Sequence, residues 1–402
     1  MPIRSPNGEC WSGILACPFP LRLPVSAPLR SISIASVIFV TFLAAGLCPC
    51  VAEENASRTN LAIGLLLPPD EPEVGSLREG AALGVELANQ WPGPHFTLVA
   101  RGRAGQWGSD GVEAAGLVTE DGVQGLIAPP DGSASHLVLQ VSGRTAVPVI
   151  SLCADSSVSQ TGVPWMARIV PRTVEEAKLL FARIGAKRWA VAVAEDRAGR
   201  ETARDLRAAA AQGGRVIGNI IATKLSGMNM RQTAKRLLKD QPEGVLLWLD
   251  SATAARMANA LRQVGFTGTL AGPGRLQSEG FLRAAGEAGD GFLVAGLPRH
   301  TQAEAEHQRF ASVFRSRCGH DPNPTALMSY DAVALLTAIL RQCGARAPRE
   351  LFPLTFPVCG ASGILVFDAL GNRQVNLQLY RAHNGRFIVA DRGQQTAEGN
   401  GE

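Results

Sequence analysis

Aromatic side chains are scarce in this sequence, because Phe, Trp and Tyr together make up 5% of its 402 residues. Net charge is also small, at a formal +4 at pH 7, which excludes the strongly basic surface typical of nucleic-acid-binding proteins. Hydrophobic residues, at 46%, are too frequent for an intrinsically disordered chain. The 43 Gly and 25 Pro follow no triplet period, which excludes a collagen-like protein.

Signatures of catalysis are missing as well. The sequence has no GxSxG, HExxH or GxxxxGK(S/T) motif, and no GxGxxG opens a helix after the first strand. Its six histidines lack metal-ligand spacing, and His136 is interpreted either as a ligand contact or as an exposed helix residue. Glu175 and Glu176 lie at a predicted helix start, where they complement the helix dipole. We therefore expect a protein that is not an enzyme and has no cofactor or metal.

Four of the eight cysteines fall within the first 52 residues. The other four, Cys153, Cys318, Cys343 and Cys359, show no CxxC spacing, which argues against zinc and thioredoxin-type chemistry. In an exported protein a disulfide is the natural expectation. Cys343 and Cys359 lie beside Gly at the two ends of one short connection and form the predicted pair, with buried thiols as the alternative.

The N-terminal region predicts export. Ser31–Leu47 is the longest apolar run; Arg30 precedes it, and the small-residue exit Cys50-Val51-Ala52 follows it. This pattern predicts a signal peptide within residues 1–52, of which 1–27 form an extra leader. A single membrane anchor is the alternative, since the run approaches the roughly 20 residues that span a bilayer. We expect a periplasmic or secreted protein after cleavage.

From Asn60 onwards, short apolar segments alternate with longer amphipathic ones. Gly125–Ala128 is a predicted strand, for example, and Ser133–Ser142 is the helix that follows it. Apolar strands separated by helices indicate parallel sheets covered on both faces, and the rhythm restarts after Met166–Val170. The predicted fold class is therefore α/β, with two doubly wound parallel-sheet domains.

The last hundred residues do not fit two simple tandem domains. They contain two further predicted helices, Gln302–Cys318 and Asn323–Gln342, and then a strand-turn-strand unit formed by Gly363–Asp368 and Val375–Ala382. These elements would complete two sheets if the chain crossed between the domains more than once.

Several short segments follow one another in an informative order. They are Ile63-Gly64-Leu65-Leu66 with Pro68, Gly80-Ala81, Gly125–Ala128, Val147-Pro148-Val149-Ile150-Ser151, Lys187–Val191, Leu261–Phe266, Tyr330–Val333, and Gly363–Asp368 with Gly371. In order and spacing they resemble the type I periplasmic solute-binding proteins, specifically the leucine/isoleucine/valine-binding branch of ABC transporter receptors. The resemblance covers about residues 60–391.

The resemblance implies two lobes with a ligand cleft between them, joined by three hinge crossovers. The crossovers are expected near Arg168–Arg172, Leu297–His300 and Gly360–Gly363. Lobe 1 is expected to contain residues 60–170 and 299–359, and lobe 2 residues 172–297 and 360–392, before a disordered tail at 393–402. In open α/β sheets, ligands bind beyond the carboxyl ends of the strands, at helix N-termini.

In the branch that the sequence resembles, backbone N–H groups and hydroxyls of lobe 1 hold the ligand carboxylate. The matching loops here are residues 129–135 and 151–156. Ser133 and Ser135 could donate to an anion or simply cap a helix. Asp155 would repel a carboxylate, unless it caps a helix or pairs with a cation.

Lobe 2 departs further from that branch. The glutamate that holds the ligand ammonium there aligns with Gly274 or Arg275, and Arg275 offers a bidentate carboxylate or phosphate site unless it is a solvated loop residue. Val74 and Ala198 stand where the branch has aromatic walls. Cleft-edge candidates are Trp107, Trp248 (alternatively core), Asp250 and Ser251. The expected ligand-binding residues are Ser133, Ala134, Ser135, Ala154, Asp155, Ser156, Arg197, Ser251 and Arg275.

The sequence thus predicts an extracytoplasmic substrate-binding protein of an ABC importer. It is expected to be a monomer that captures a small polar ligand, amino-acid-like or carboxylate-bearing, and presents it to a membrane permease. The alternative is a ligand-sensing or partner-binding regulatory protein on the same fold, without transport. Nucleic acid is not an expected partner.

Overall fold

The computed structural model describes residues 59–68, 74–102, 109–223, 229–298, 301–343 and 346–390. The predicted signal peptide, Trp107 and the tail at 393–402 lie outside these residues. Within the described ranges, no helix combines the length and the apolar character that a membrane crossing requires.

Strands and helices alternate through most of the described chain. The strands are β1 Asn60–Leu66, β2 His95–Arg101, β3 Gly125–Ala128, β4 Val149–Ser151, β5 Met166–Arg168, β6 Arg188–Ala194, β7 Val216–Thr223, β8 Gly244–Trp248, β9 Thr269–Pro273, β10 Leu293–Gly296, β11 Val358–Gly360, β12 Gly363–Leu365, β13 Gln378–His383 and β14 Arg386–Val389. The helices are α1 Val74–Ala88, α2 Ser109–Thr119, α3 Gly132–Thr145, α4 Thr173–Arg183, α5 Arg197–Gln212, α6 Met230–Leu237, α7 Ser251–Gln263, α8 Glu279–Ala285, α9 Thr301–Cys318 and α10 Pro324–Cys343.

Two sheets form the two lobes. The described strands of lobe 1 make a five-stranded parallel sheet in the order β2-β1-β3-β4-β5. Those of lobe 2 make a seven-stranded sheet in the order β14-β13-β10-β9-β8-β6-β7, in which only the edge strands β13 and β14 are antiparallel to their neighbours. The predicted α/β class with two parallel-dominated lobes is confirmed.

Helix α10 returns the chain to lobe 1 and packs along α1. The approach is so close that a Cβ on Gly80 would lie 2.1 Å from the carbonyl oxygen of Ala326. A Cβ on Gly84, one turn further along α1, would lie 2.9 Å from the Val333 side chain. The glycines therefore let the two helices pack against each other, and α10 covers one face of the lobe 1 sheet through Leu336 and its neighbours.

The third crossover differs from the predicted boundary at residues 360–363. Leu365 and Phe367 belong to the hydrophobic core of lobe 1, with Ile63 and Ile127. Asn372 then forms a parallel bridge with Arg168 at the edge of β5. The chain therefore enters lobe 2 after this bridge, because the apolar residues around β12 bury themselves against α10 and the lobe 1 sheet before β13 begins.

The strand-turn-strand unit also differs from its prediction. Strand β12 pairs with β11, whereas β13 pairs with β10 and β14. Residues 363–368 and 375–382 are thus not partners in one hairpin, and each contributes to a different sheet.

A buried arginine, Arg168, holds together segments that connect the lobes. Arg168, fully buried, donates to the Asp155 carbonyl oxygen at 2.6 Å and to Ser159 Oγ at 2.8 Å, and its guanidinium also contacts the Asn372 side chain. Burial lowers its pKa. Since an unpaired buried charge is costly, these bonds fix β5, the loop after β4 and the returning chain relative to one another.

Candidate ligand-binding cleft

The carboxyl ends of the parallel strands in the two lobes lie at the same interface. Helix α3 follows β3 in lobe 1, and helix α5 follows β6 in lobe 2. The side chains of Arg197 on α5 and Ser133 on α3 are joined by a hydrogen bond, Nη1 to Oγ, of 3.3 Å. This contact brings the two helix N-termini together across the interface between the lobes, where the ligand cleft is expected.

Aspartates cap the helices at this interface. Oδ1 of each aspartate accepts a backbone N–H from the first turn of the helix it precedes: Asp131 from Ala134 at 2.7 Å, Asp155 from Ser157 at 2.9 Å, Asp196 from Gly199 at 2.7 Å, and Asp250 from Thr253 at 2.9 Å. For Asp155 the capping alternative is therefore what the structure shows. One oxygen of each carboxylate thus serves a helix start, whereas the other oxygen of Asp250, Oδ2, is buried without a hydrogen-bond partner among the described residues.

The expected contacts at the start of α3 divide into two kinds. Ser133 is half-buried and faces Arg197 across the cleft. Ser135 is fully buried and donates its hydroxyl hydrogen to the Pro129 carbonyl oxygen at 2.8 Å. Ala134 is also buried. Ser135 and Ala134 thus hold the loop in shape, which differs from the ligand contacts predicted for them, and Ser133 is the residue of the three placed at the cleft.

The loop after β4 reaches lobe 2. The Ala154 carbonyl oxygen accepts the backbone N–H of Thr173, the first residue of α4, at 3.2 Å. Ser156 donates its hydroxyl hydrogen to Oδ2 of Asp205 on α5 at 2.7 Å. Two of the expected ligand-binding residues therefore contact the opposite lobe.

The other expected residues of lobe 2, besides Arg197, lie where β8 and β9 end. Ser251 is the first residue of α7 and is half-buried. Arg275 is exposed, and its Nε and Nη2 donate to the Leu249 carbonyl oxygen at 3.3 and 3.2 Å. Trp248 is buried in the lobe 2 core, which agrees with the alternative interpretation of that residue.

A model described as "Periplasmic binding protein" matches residues 68–351, more than half of the chain. The chain belongs to the periplasmic binding protein family. Members of this family bind ligands outside the cytoplasm. The match agrees with the resemblance to the leucine/isoleucine/valine-binding branch, and no curated protein matches the sequence.

Solved structures resemble this periplasmic binding protein over most of its length. A leucine-binding protein from Thermotoga maritima is 17% identical, with a TM-score of 0.71 over 82% of this chain and 98% of that one. A branched-chain amino acid binding protein from Streptococcus pneumoniae, in complex with isoleucine, is 16% identical, with a TM-score of 0.70 over 83% and 100%. A solute-binding protein from Rhodopseudomonas palustris, in complex with benzoate, is 18% identical, with a TM-score of 0.71 over 82% and 95%. At these identities the likeness establishes the fold.

Two titratable groups near the cleft of this periplasmic binding protein have shifted pKa values. Burial, with a smaller effect from Arg197, lowers the pKa of His136, whose Nε2 lies 2.8 Å from Ser157 Oγ. Burial raises the pKa of Glu176 to about 8, although its Oε1 accepts the Gly274 N–H at 2.7 Å. Sequence reasoning assigned Glu176 only to the helix dipole, because no local pattern shows its contact with the end of β9.

The cysteines and possible metal ligands add no chemistry to the cleft. The thiol of Cys343 donates to the Leu340 carbonyl oxygen at 3.1 Å, and the predicted bridge with Cys359 is not formed in the structure. The last turn of α10 buries this thiol and provides its acceptor, which agrees with the alternative of a buried thiol. Among the described residues, no group of three His, Cys, Asp or Glu side chains could hold a metal ion.

Proposed function

We propose that this chain is the substrate-binding protein of an ABC importer and that it captures a small carboxylate-bearing molecule between its lobes. The observation that carries the proposal is the Ser133–Arg197 pair, which joins the two cleft walls at the helix N-termini. A carboxylate entering here would meet the Ser133 hydroxyl, the positive end of the α3 helix dipole and the Arg197 guanidinium. Each of these features favours an anion.

The charges around the cleft favour an acid over an amino acid. Arg197 and Arg275 form no salt bridge with any described residue, and their guanidinium groups contact only uncharged oxygens. The four capping aspartates already serve helix starts. The acidic groups that remain near the strand ends are Glu195, which is exposed, Asp110, whose pKa is raised by burial and by Asp131, and Glu176, whose pKa is raised to about 8 by burial. An ammonium group would therefore find few partners, whereas a carboxylate would find several.

The solved relatives support the carboxylate half of this proposal. Isoleucine and benzoate, bound by two of them, share a carboxylate attached to an apolar body, but only isoleucine carries an ammonium group. Arg275 supports a ligand that, like benzoate, has no ammonium group, because the resemblance places the ammonium-binding glutamate at Gly274 or Arg275 and neither residue is acidic.

Matched ligand pairs test the proposal. The purified full-length protein, refolded to remove any bound molecule, is heated with leucine or 4-methylpentanoate, and with phenylalanine or 3-phenylpropanoate. A ligand at about 100 times its Kd adds about 2.7 kcal/mol to the free energy of unfolding, which raises Tm by several degrees. We expect the acids to raise Tm more than the amino acids do.

Variants locate the binding. Ser133→Ala and Arg197→Gln should abolish the shift, and Arg200→Gln, an exposed neighbour on α5, should keep it. If leucine binds more strongly than 4-methylpentanoate, the proposed preference for an acid without an ammonium group is wrong, but the receptor proposal stands. No shift with any carboxylate would overturn the receptor proposal.

A regulatory protein on the same fold is the second candidate. The Ser156–Asp205 bond favours this candidate, because it joins the two lobes without any ligand. If the protein binds a membrane permease only when ligand is added, the result supports the importer. Capture of another protein, to the same extent with and without a ligand, would support the regulator.

A further inference from the structure

Helix α5 presents a row of polar side chains to lobe 1. Arg197, Glu201 and Asp205 follow one another at intervals of four residues, so they lie along one face of the helix. Arg197 bonds to Ser133, and Asp205 accepts the Ser156 hydroxyl hydrogen. Glu201, between them, acts electrostatically on His136 of α3. Two of the three side chains thus bond directly to polar groups of lobe 1.

The Asp205 end of this face has the stronger geometry. Asp205 is 8% exposed, and its Oδ2 lies 2.7 Å from Ser156 Oγ, whereas the Arg197–Ser133 bond is 3.3 Å long. Each bond includes one charged group, so the shorter distance between Ser156 and Asp205 marks the stronger of the two. Arg204 lies 3.7 Å from the other oxygen of Asp205 and balances its charge. A buried carboxylate with this environment favours the arrangement in which Ser156 stays bound.

The two ends of the face have different relations to a ligand. A carboxylate at the N-terminus of α3 would compete for Ser133 and Arg197. The Ser156–Asp205 bond uses no group that such a ligand needs, and its stabilising effect is present whether the cleft is filled or not. Closure therefore has a contribution that belongs to the protein alone.

We propose that the Ser156–Asp205 pair is an interlobe clamp, which populates the closed arrangement before a ligand binds. Asp205 is then a positioning residue: it sets the fraction of molecules that are competent to bind, and apparent affinity scales with that fraction. The effect on affinity rests on the proposed function, whereas the effect on closure does not.

Single-molecule energy transfer measures closure directly. Dyes are attached through unnatural amino acids at Gln140 on α3 and Arg207 on α5, both exposed, in the purified full-length protein refolded to remove bound molecules. We expect a closed population in the wild type without added ligand. Ser156→Ala should reduce the ratio of closed to open molecules roughly tenfold, since this is the usual effect of losing a hydrogen bond to a charged group. Asp205→Asn should reduce it less, because Asn keeps an acceptor oxygen.

A neighbouring serine provides the matched control. Ser157 bonds to His136 and Asp155 within lobe 1, so Ser157→Ala should leave the ratio unchanged. Equal ratios for wild type and Ser156→Ala, or an entirely open wild type, would overturn the clamp. A clamp that behaves as expected in a protein that binds none of the carboxylates would leave the clamp standing and remove the receptor proposal. If Ser156→Ala changes neither the affinity for a carboxylate nor the ratio of closed to open molecules, the clamp is overturned and the receptor proposal stands.

Discussion

The carboxyl group of Glu176 and the backbone N–H of Gly274 are joined by a 2.7 Å hydrogen bond that ties the first turn of α4 to the end of β9. A Cβ on Gly274 would lie 2.4 Å from the Ala295 carbonyl oxygen, so the backbone approaches the carboxyl group in a space that only glycine fits. An acidic side chain therefore sits, almost fully buried, at the strand ends of lobe 2 beside the cleft.

Glu176 should make stability depend on pH. Its pKa is about 8 in the folded protein, well above the ordinary value of 4.5, because burial disfavours the charged form. The unfolded chain therefore loses this proton first, and the stability present below pH 4.5 is lost as pH rises towards 8, by about 1.4 kcal/mol for each pKa unit. Glu176→Gln should show a smaller fall in Tm between pH 5 and 8, and Glu287→Gln, an exposed control, should match the wild type. Parallel curves for Glu176→Gln and wild type would contradict this.

His136 should act in the opposite pH direction. Burial holds its pKa below the ordinary value of 6.5, so the unfolded chain takes up the proton first and stability falls as pH drops below 6.5. Arg197 disfavours the charged imidazole, while Asp131, Asp155 and Glu201 favour it. His136→Gln should lose part of this dependence in denaturation curves between pH 5 and 7. His383→Gln, an exposed control, should keep the full pH dependence of the wild type. If His136→Gln keeps it as well, groups other than His136 cause the dependence.

A buried hydrogen-bond network holds the returning polypeptide in lobe 1. Asp331 on α10, fully buried, accepts N–H bonds from Ala361 and Ser362 at 2.7 and 2.9 Å, and Arg373 donates to Ser362 Oγ at 2.8 Å. Asp331→Ala should lower the free energy of unfolding by about 3 kcal/mol in urea titrations, because it leaves the buried N–H groups of Ala361 and Ser362 without their acceptor and Arg373 without the nearby carboxylate charge. Asp321→Ala, which removes a more exposed partner of Arg315, should cost about 1 kcal/mol or less. Equal losses would disprove the special role of burial.

The α1–α10 contact makes a prediction about a single methyl group. Gly80→Ala should destabilise the protein by about 1–3 kcal/mol, because the new Cβ would overlap the Ala326 backbone and force the helices apart. Gly75 lies on the same helix with no atom within 4 Å of its virtual Cβ. Gly75→Ala should therefore be neutral or stabilise by up to about 1 kcal/mol. Thermal unfolding of both variants checks the pair, and a neutral Gly80→Ala would refute the close approach.

Most of the regular elements could be predicted from local pattern. Gly125–Ala128 is a strand with the predicted bounds, and the helix predicted over Ser133–Ser142 is α3, which begins one residue earlier and ends three residues later. Helix α8 was not predicted, since seven residues between two strands carry too short an apolar period. Strand β11 has three residues and is defined only by its pairing with β12. The third crossover lies later than its predicted position for a similar reason. Tertiary packing, and not a local sequence pattern, places residues 363–373 in lobe 1.

The amino-acid sequence by itself determined the α/β class, the repeated strand–helix order and the loops in which the cleft residues lie, because hydrophobic period and helix-start residues act over a few neighbouring positions. The tertiary structure alone decided which of those residues are available. It buries Ser135 and commits four aspartates to helix caps. It also joins Ser156 to Asp205, 49 residues away. Such contacts depend on how two lobes meet, and no local pattern encodes that distance.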